Sequence, residues 1–130
     1  VPTEEKIKAE VEQSAAAASV ALEAARSRVL TKLSNGKAVA DYELRTLVEA
    51  QYNWEIFTWY VVAIAEEGAT PRTALIKVRE AVTQAALYGR GQRHVDTGRA
   101  SSPIGRAMKE HQLDVFRSFV WWANEILEEQ

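Results

Sequence analysis

The chain contains no cysteine, which removes disulfides, cysteine-bound metals and thiol nucleophiles together and leaves the compartment open. Its two histidines are His94 and His111, and neither follows a glutamate by three residues. The paired Glu-x-x-His ligands of a carboxylate-bridged di-iron bundle are therefore missing. Gly89 and Gly91 follow a helical stretch instead of opening a helix after a strand, so the usual phosphate-binding loop is excluded. Asn35, Asn53 and Asn124 all lack the hydroxyl partner of an N-glycosylation sequon. The most apolar run, Ile56 to Ala65, is broken only by Thr58 and is about half of the ~20 residues a membrane-spanning helix needs. The opening Val1, Pro2, Thr3, Glu4 has no initiating methionine and is unlike a signal peptide, so no export signal is expected. No strand-type alternation competes anywhere.

What remains is 130 residues, 47% hydrophobic and 26% charged, the mix of one folded domain over 1–130. Its punctuation predicts an all-α fold, an antiparallel four-helix bundle with long helices. Thr3 followed by Glu4 and Glu5 starts a helix over about 3–33, stopped by Ser34, Asn35 and Gly36. Ile7, Val11, Ala18, Leu22, Ala25, Val29 and Leu33 form its inner stripe. Within it Ala15 to Ser19 offer thin walls for close packing. Asp41 is expected to cap a second helix over 41–67, with Gly68 as its stop. Thr70 before Pro71 opens a third over 71–88 ending at Gly89, and Ser102 before Pro103 opens a fourth over 103–129. The segment 89–102 is expected to be a basic loop.

Two helices carry more apolar surface than one stripe. Residues Ile56 to Ile64 and Phe119 to Leu127 are apolar around the whole circumference. Either one helix sits centrally in an irregular bundle, or another surface covers the outer half. The second reading is preferred, because contiguous exposed apolar patches mark interaction surfaces. Trp54, Trp59, Tyr60, Val62, Phe119, Trp121 and Trp122 are the expected subunit contacts. Tyr52, Trp54, Trp59, Tyr60, Trp121 and Trp122 could also stack on bases, but they lie away from the basic residues and fit core or contact roles better.

Net charge is −2, unevenly spread. The bundle topology brings 26–45 and 90–109 to one end. There Arg26, Arg28, Lys32, Lys37, Arg45, Arg90, Arg93, Arg99, Arg106 and Lys109 oppose Asp41, Glu43 and Asp96, a net +7 that leaves −9 elsewhere. Helix dipoles account for part of this but not for the fourth helix, which has Arg106 and Lys109 at its start and Glu125, Glu128 and Glu129 at its end. Glycine-spaced arginines with serine and threonine between Gly89 and Ser102 suit phosphate oxygens, contacts that hold a backbone without reading sequence. A solvated loop is the alternative. Arg90, Arg93, Arg99, Arg106, Lys109, Arg26, Arg28, Lys32 and Lys37 are the candidate nucleic-acid contacts. Glu110, His111 and Asp114 share about one helical turn and could touch a metal or shuttle a proton, yet nothing completes a site around them. No catalytic residue, cofactor or metal is expected, and the chain is not read as an enzyme.

The alanine-rich first helix, the run Trp54 to Ala65, the segment Gly89 to Ser102 and the run Phe116 to Leu127 together resemble the major coat proteins of the bacilliform DNA viruses of hyperthermophilic archaea, the clavavirus group. The resemblance covers the whole chain in general character. It implies a helical-bundle subunit of a virion, tightly packed with its copies in a helical shell around double-stranded DNA, with hydrophobic subunit interfaces giving heat resistance. It would also allow glycosylation. Two other classes fit the same residues. One is a four-helix scaffold or adaptor binding a protein partner. The other is a small helical enzyme, which would bury groups such as Arg45, Glu49, Arg79 or Arg117 around a central pocket.

Overall fold

The computed structural model describes residues 2–95 and 103–128, and among them the chain forms four helices and no strand. They are α1 (Glu4–Ser34), α2 (Asp41–Ile64), α3 (Pro71–Val95) and α4 (Pro103–Glu128). Thr3 caps α1 as expected, its Oγ1 accepting from the Lys6 N–H at 3.1 Å, with Glu4 and Glu5 in the first turn. The other end closes as a Schellman motif. The Lys37 N–H donates to the Lys32 carbonyl at 2.9 Å and the Gly36 N–H to that of Leu33 at 3.1 Å. Gly36 takes φ +68° to allow this, a conformation costly for residues with a Cβ. α3 opens on a reciprocal box in which the Thr73 N–H donates to Thr70 Oγ1 at 3.1 Å and the Thr70 N–H to Thr73 Oγ1 at 2.8 Å. Pro71, which has no N–H to satisfy, is its first residue.

Three boundaries differ from the sequence reading. Asp41 is the first helical residue of α2 and not its cap, which is Ala40. Ala40 has no side-chain acceptor, so the cap bond expected of Asp41 is not made; the Ala40 N–H is instead taken by Glu43 Oε1 at 3.0 Å. α2 ends at Ile64, because i→i+3 bonds from Glu66 to Ala63 at 3.3 Å and from Ala69 to Glu66 at 3.1 Å tighten the chain out of α geometry before Gly68 turns at φ +78°. α3 runs through Gly89 and Gly91 to Val95, so positions 89–95 of the expected loop are helical; 96–102, with Ser102 as the expected cap of α4, lie outside the described residues. Among those residues only Gly36 and Gly68 have positive φ. Glycine stops a helix by turning left-handed; held right-handed it costs ~0.5–1 kcal/mol against alanine and lets the helix continue.

Side-chain pairs fix the helix directions. Arg26 with Gln51 and Lys32 with Glu43 make α1 and α2 antiparallel. Glu4 with Arg72 makes α1 and α3 parallel, and Glu49 with His111 and Phe57 with Phe119 do the same for α2 and α4. This is the up-down bundle that the short connections predict. Its core lies toward one end, where Ile7 and Val11 of α1, Ile56 of α2, Leu75, Val78 and Val82 of α3, and Phe116 and Ile126 of α4 meet. Burying each such side chain is worth about 1.5–3 kcal/mol. Beyond that core α1 and α2 continue as a hairpin with Leu22, Ala25 and Val29 inside. Leu33, expected on this inner stripe, is 59% exposed, because the last turn of α1 lies past the four-helix core.

Candidate assembly surfaces and basic end

α2 packs against α1, α3 and α4, and these contacts cover part of its apolar circumference. Two residues expected between subunits belong instead to the core of one chain. Tyr60 and Phe119 are buried, Tyr60 with its phenol pKa raised by burial and then by Glu12 and Glu4. Trp122 is half-buried and closes an aromatic cluster. Its ring meets Phe57 edge-on at 5.7 Å and Phe119 at 5.5 Å, and Phe57 meets Phe119 edge-on at 5.8 Å. Such pairs add ~0.5–1.5 kcal/mol beyond area burial. Trp59 is exposed at 37%, its ring 6.3 Å from that of Phe116.

Other expected contacts do face outward. Trp121 is 66% and Val62 67% exposed, and Trp54 is exposed at 36%; Val61, outside the expected set, is similarly open. Trp54, Val61 and Val62 recur at helical spacing and so share one side of α2. The sequence reading missed a related feature of α1. Positions 13–22 carry no charge, and of them Ala16, Ala17, Ser19, Val20 and Ala21 are exposed while only Ala18 and Leu22 are buried. The small residues expected to line a tight internal contact mostly present a thin, uncharged outer surface.

Between α1 and α4 this surface forms one wall of an open groove of about 440 Å³. Ser14, Ala17 and Ala21 line one side, Ser118, Phe119 and Trp122 the other, with Asn53 and Phe57 of α2 as its floor. The groove continues past Trp122 to Glu10, Glu125, Ile126 and Glu128, and past Asn53 and Ser118 to Glu49, Ala50, Asp114 and Val115.

The basic end divides into two parts. On the α1–α2 hairpin the Lys32 ammonium lies 2.5 Å from Glu43 Oε1, and Glu43 is buried. The Lys32 hydrogen bond, followed by the Ala40 N–H, holds the Glu43 carboxyl below its ordinary pKa against the opposing effect of burial. Lys32, 34% exposed, is thus engaged by a carboxylate of its own chain. Arg26 donates to Gln51 Oε1 at 3.3 Å and pairs with Glu23, and Arg45 pairs with Glu49 at 3.8 Å. Arg28 and Lys37 are exposed and Lys109 is half-buried. Arg90 and Arg93 lie in the last turns of α3 and Arg106 in the first turn of α4, which the topology brings to the same end; Arg99 lies outside the described residues. Sequence reasoning missed Glu43 because an acid in a first turn is common. The available signal was the alanine at the cap position, which left the task to a residue three positions on.

The triplet Glu110, His111 and Asp114 is drawn in different directions. His111 Nδ1 lies 3.7 Å from Glu49 Oε1 on α2, and Asp114 faces Arg117 at 3.8 Å. Among the described residues no group of three histidine, aspartate or glutamate side chains is placed to hold a metal. The four groups named for an internal pocket do not converge: Arg45 pairs with Glu49, Arg79 donates to Asn124 Oδ1 at 2.9 Å, and Arg117 is exposed. No helix among the described residues is long and apolar enough to cross a membrane. No family model, curated protein or solved structure matches the chain.

Proposed function

We propose that this chain is a structural coat subunit, assembling with copies of itself into a helical shell around nucleic acid, most plainly double-stranded DNA in a virion. The observation that carries the reading is the set of large apolar side chains held outward on rigid helices, Trp54, Val61 and Val62 on α2 and Trp121 on α4. Exposed patches of this kind mark interaction surfaces, and copies of the same chain cover them side by side in a closed-packed shell. The arginines at the meeting of α3 and α4 supply the second requirement, charge that holds a phosphate backbone without reading bases. The short aromatic-free run of glycines and arginines favours duplex contact over base stacking.

The test is electron microscopy of the purified protein together with its absorbance at the nucleic-acid and protein maxima. Rods or filaments with excess nucleic-acid absorbance are expected. Discrete single-chain particles free of nucleic acid would overturn the proposal and direct attention to a heterologous protein partner.

A further inference from the structure

We infer that the groove between α1 and α4 is the seat for a second copy of this chain, and that it receives the basic, leucine-edged face of that copy's α1–α2 hairpin. The inference rests on the self-assembly reading and names its contact. The middle segment of the groove shares Trp122 with the segment at one end and Asn53 and Ser118 with the segment at the other, so the three follow one another as a trough. Measured along α4 from position 114 to 128 it is roughly 21 Å long. Ser14, Ala17 and Ala21 leave room for a neighbouring backbone to come close, and Phe57, Phe119 and Trp122 supply the apolar lining.

The charge of the groove selects its occupant. Its lining residues include no lysine or arginine, and Glu10 and Glu125 at one end have no ion pair among the described residues. At the other end Glu49 and Asp114 are already paired with Arg45, His111 and Arg117, so the attraction is concentrated at the Glu10–Glu125 end. The matching surface is a helix face both apolar and basic.

The hairpin carries such a face. The Arg26–Gln51 hydrogen bond crosses it on one side, where Glu23 also lies 3.7 Å from Arg26 in an exposed pair that water screens. Leu30 and Leu33 follow Arg26 by four and seven residues and Leu44 precedes Gln51 by seven, so all three leucines lie on that side. Each is exposed, with Lys37 exposed in the adjoining turn. Exposed leucines gain nothing from hydrated phosphates; they gain from an apolar trough. This assigns the hairpin face to protein contact and leaves the α3–α4 arginines to the nucleic acid. Groove and face are different surfaces of one molecule, so the contact is heterologous and propagates as an open assembly.

The experiment is sedimentation velocity on nuclease-treated protein across a concentration series, with circular dichroism as the folding control. Ala17→Trp, which fills the groove from an exposed position, and Leu30→Ser with Leu33→Ser should each raise the concentration needed for assembly about tenfold or more, the effect of losing a central interface contact. Glu10→Lys with Glu125→Lys should block assembly, and so should Arg26→Glu with Lys37→Glu. An equimolar mixture of these two charge-reversed proteins should assemble again, because each groove then meets an oppositely charged face. Restoration on mixing is a result that misfolding cannot produce. If wild type assembles while the groove and leucine variants match it and the mixture does not recover, the contact is wrong and self-assembly stands. If wild type stays a single chain at every concentration, both fall.

Discussion

Lys32 and Glu43 meet across the α1–α2 hairpin, ammonium to carboxylate, with the Glu43 side chain 1% exposed and Lys32 34% exposed. The pair ties the last turn of α1 to the first turn of α2 and sets their register. Because the folded carboxyl titrates below its ordinary value of 4.5, it favours the folded state above that pH, and the contribution is lost as pH falls through the depressed value. Thermal unfolding followed between pH 6 and pH 2 should therefore show an acid-dependent loss that Glu43→Gln reduces, while lowering stability at pH 6. An unchanged pH profile in the variant would remove the pair from the stability of the hairpin.

Neighbouring tryptophans should separate assembly from folding. Trp122 packs on Phe57 and Phe119, so Trp122→Ser should cost a large part of the ~3–5 kcal/mol typical of truncating a core aromatic. Trp121 faces outward, so Trp121→Ser should leave urea stability of the single chain within about 0.5 kcal/mol and weaken assembly. Equal losses of stability in the two variants would make Trp121 a core residue.

Two glycines test the course of α3. Gly36 has φ +68° and nothing within 4 Å of an added Cβ, so Gly36→Ala should cost ~1–2 kcal/mol from backbone conformation alone. Gly89 lies inside a right-handed helix, so Gly89→Ala should stabilise by ~0.4–1 kcal/mol. Destabilisation by Gly89→Ala, read by denaturant titration, would restore the helix stop that its sequence suggests.

Arg90, Arg93 and Arg99 changed together to alanine should leave helicity intact and weaken duplex binding equally for all sequences. If each contacts one phosphate, the slope of log affinity against log salt should fall by about 2.7, roughly 0.9 for each contact. Unchanged binding at low salt, measured by fluorescence anisotropy, would exclude this segment.

Much of the fold could be read from local chemistry. Thr3, Gly36, Gly68 and the Thr70–Pro71 pair act on backbone groups within four residues of themselves, so their roles are written in adjacent letters. Gly89 was misread because the same letter serves a left-handed stop and a tolerated interior position, and only the tertiary setting decides between them. Tyr60 and Phe119 read as outward contacts because an apolar circumference looks the same whether neighbours come from one chain or several; which side of α2 is covered is a property of packing. The Lys32–Glu43 pair depends on hairpin register, and the groove on where α1 and α4 diverge. Neither distance is encoded in spacing along the chain.

The central claim is that outward apolar faces become buried between copies. Sedimentation velocity on the nucleic-acid-free wild-type protein tests it most directly. The weight-average mass is expected to rise with concentration well above that of one chain and to fall back in Trp121→Ser. A single species with the mass of one chain, at every concentration and salt, would contradict it.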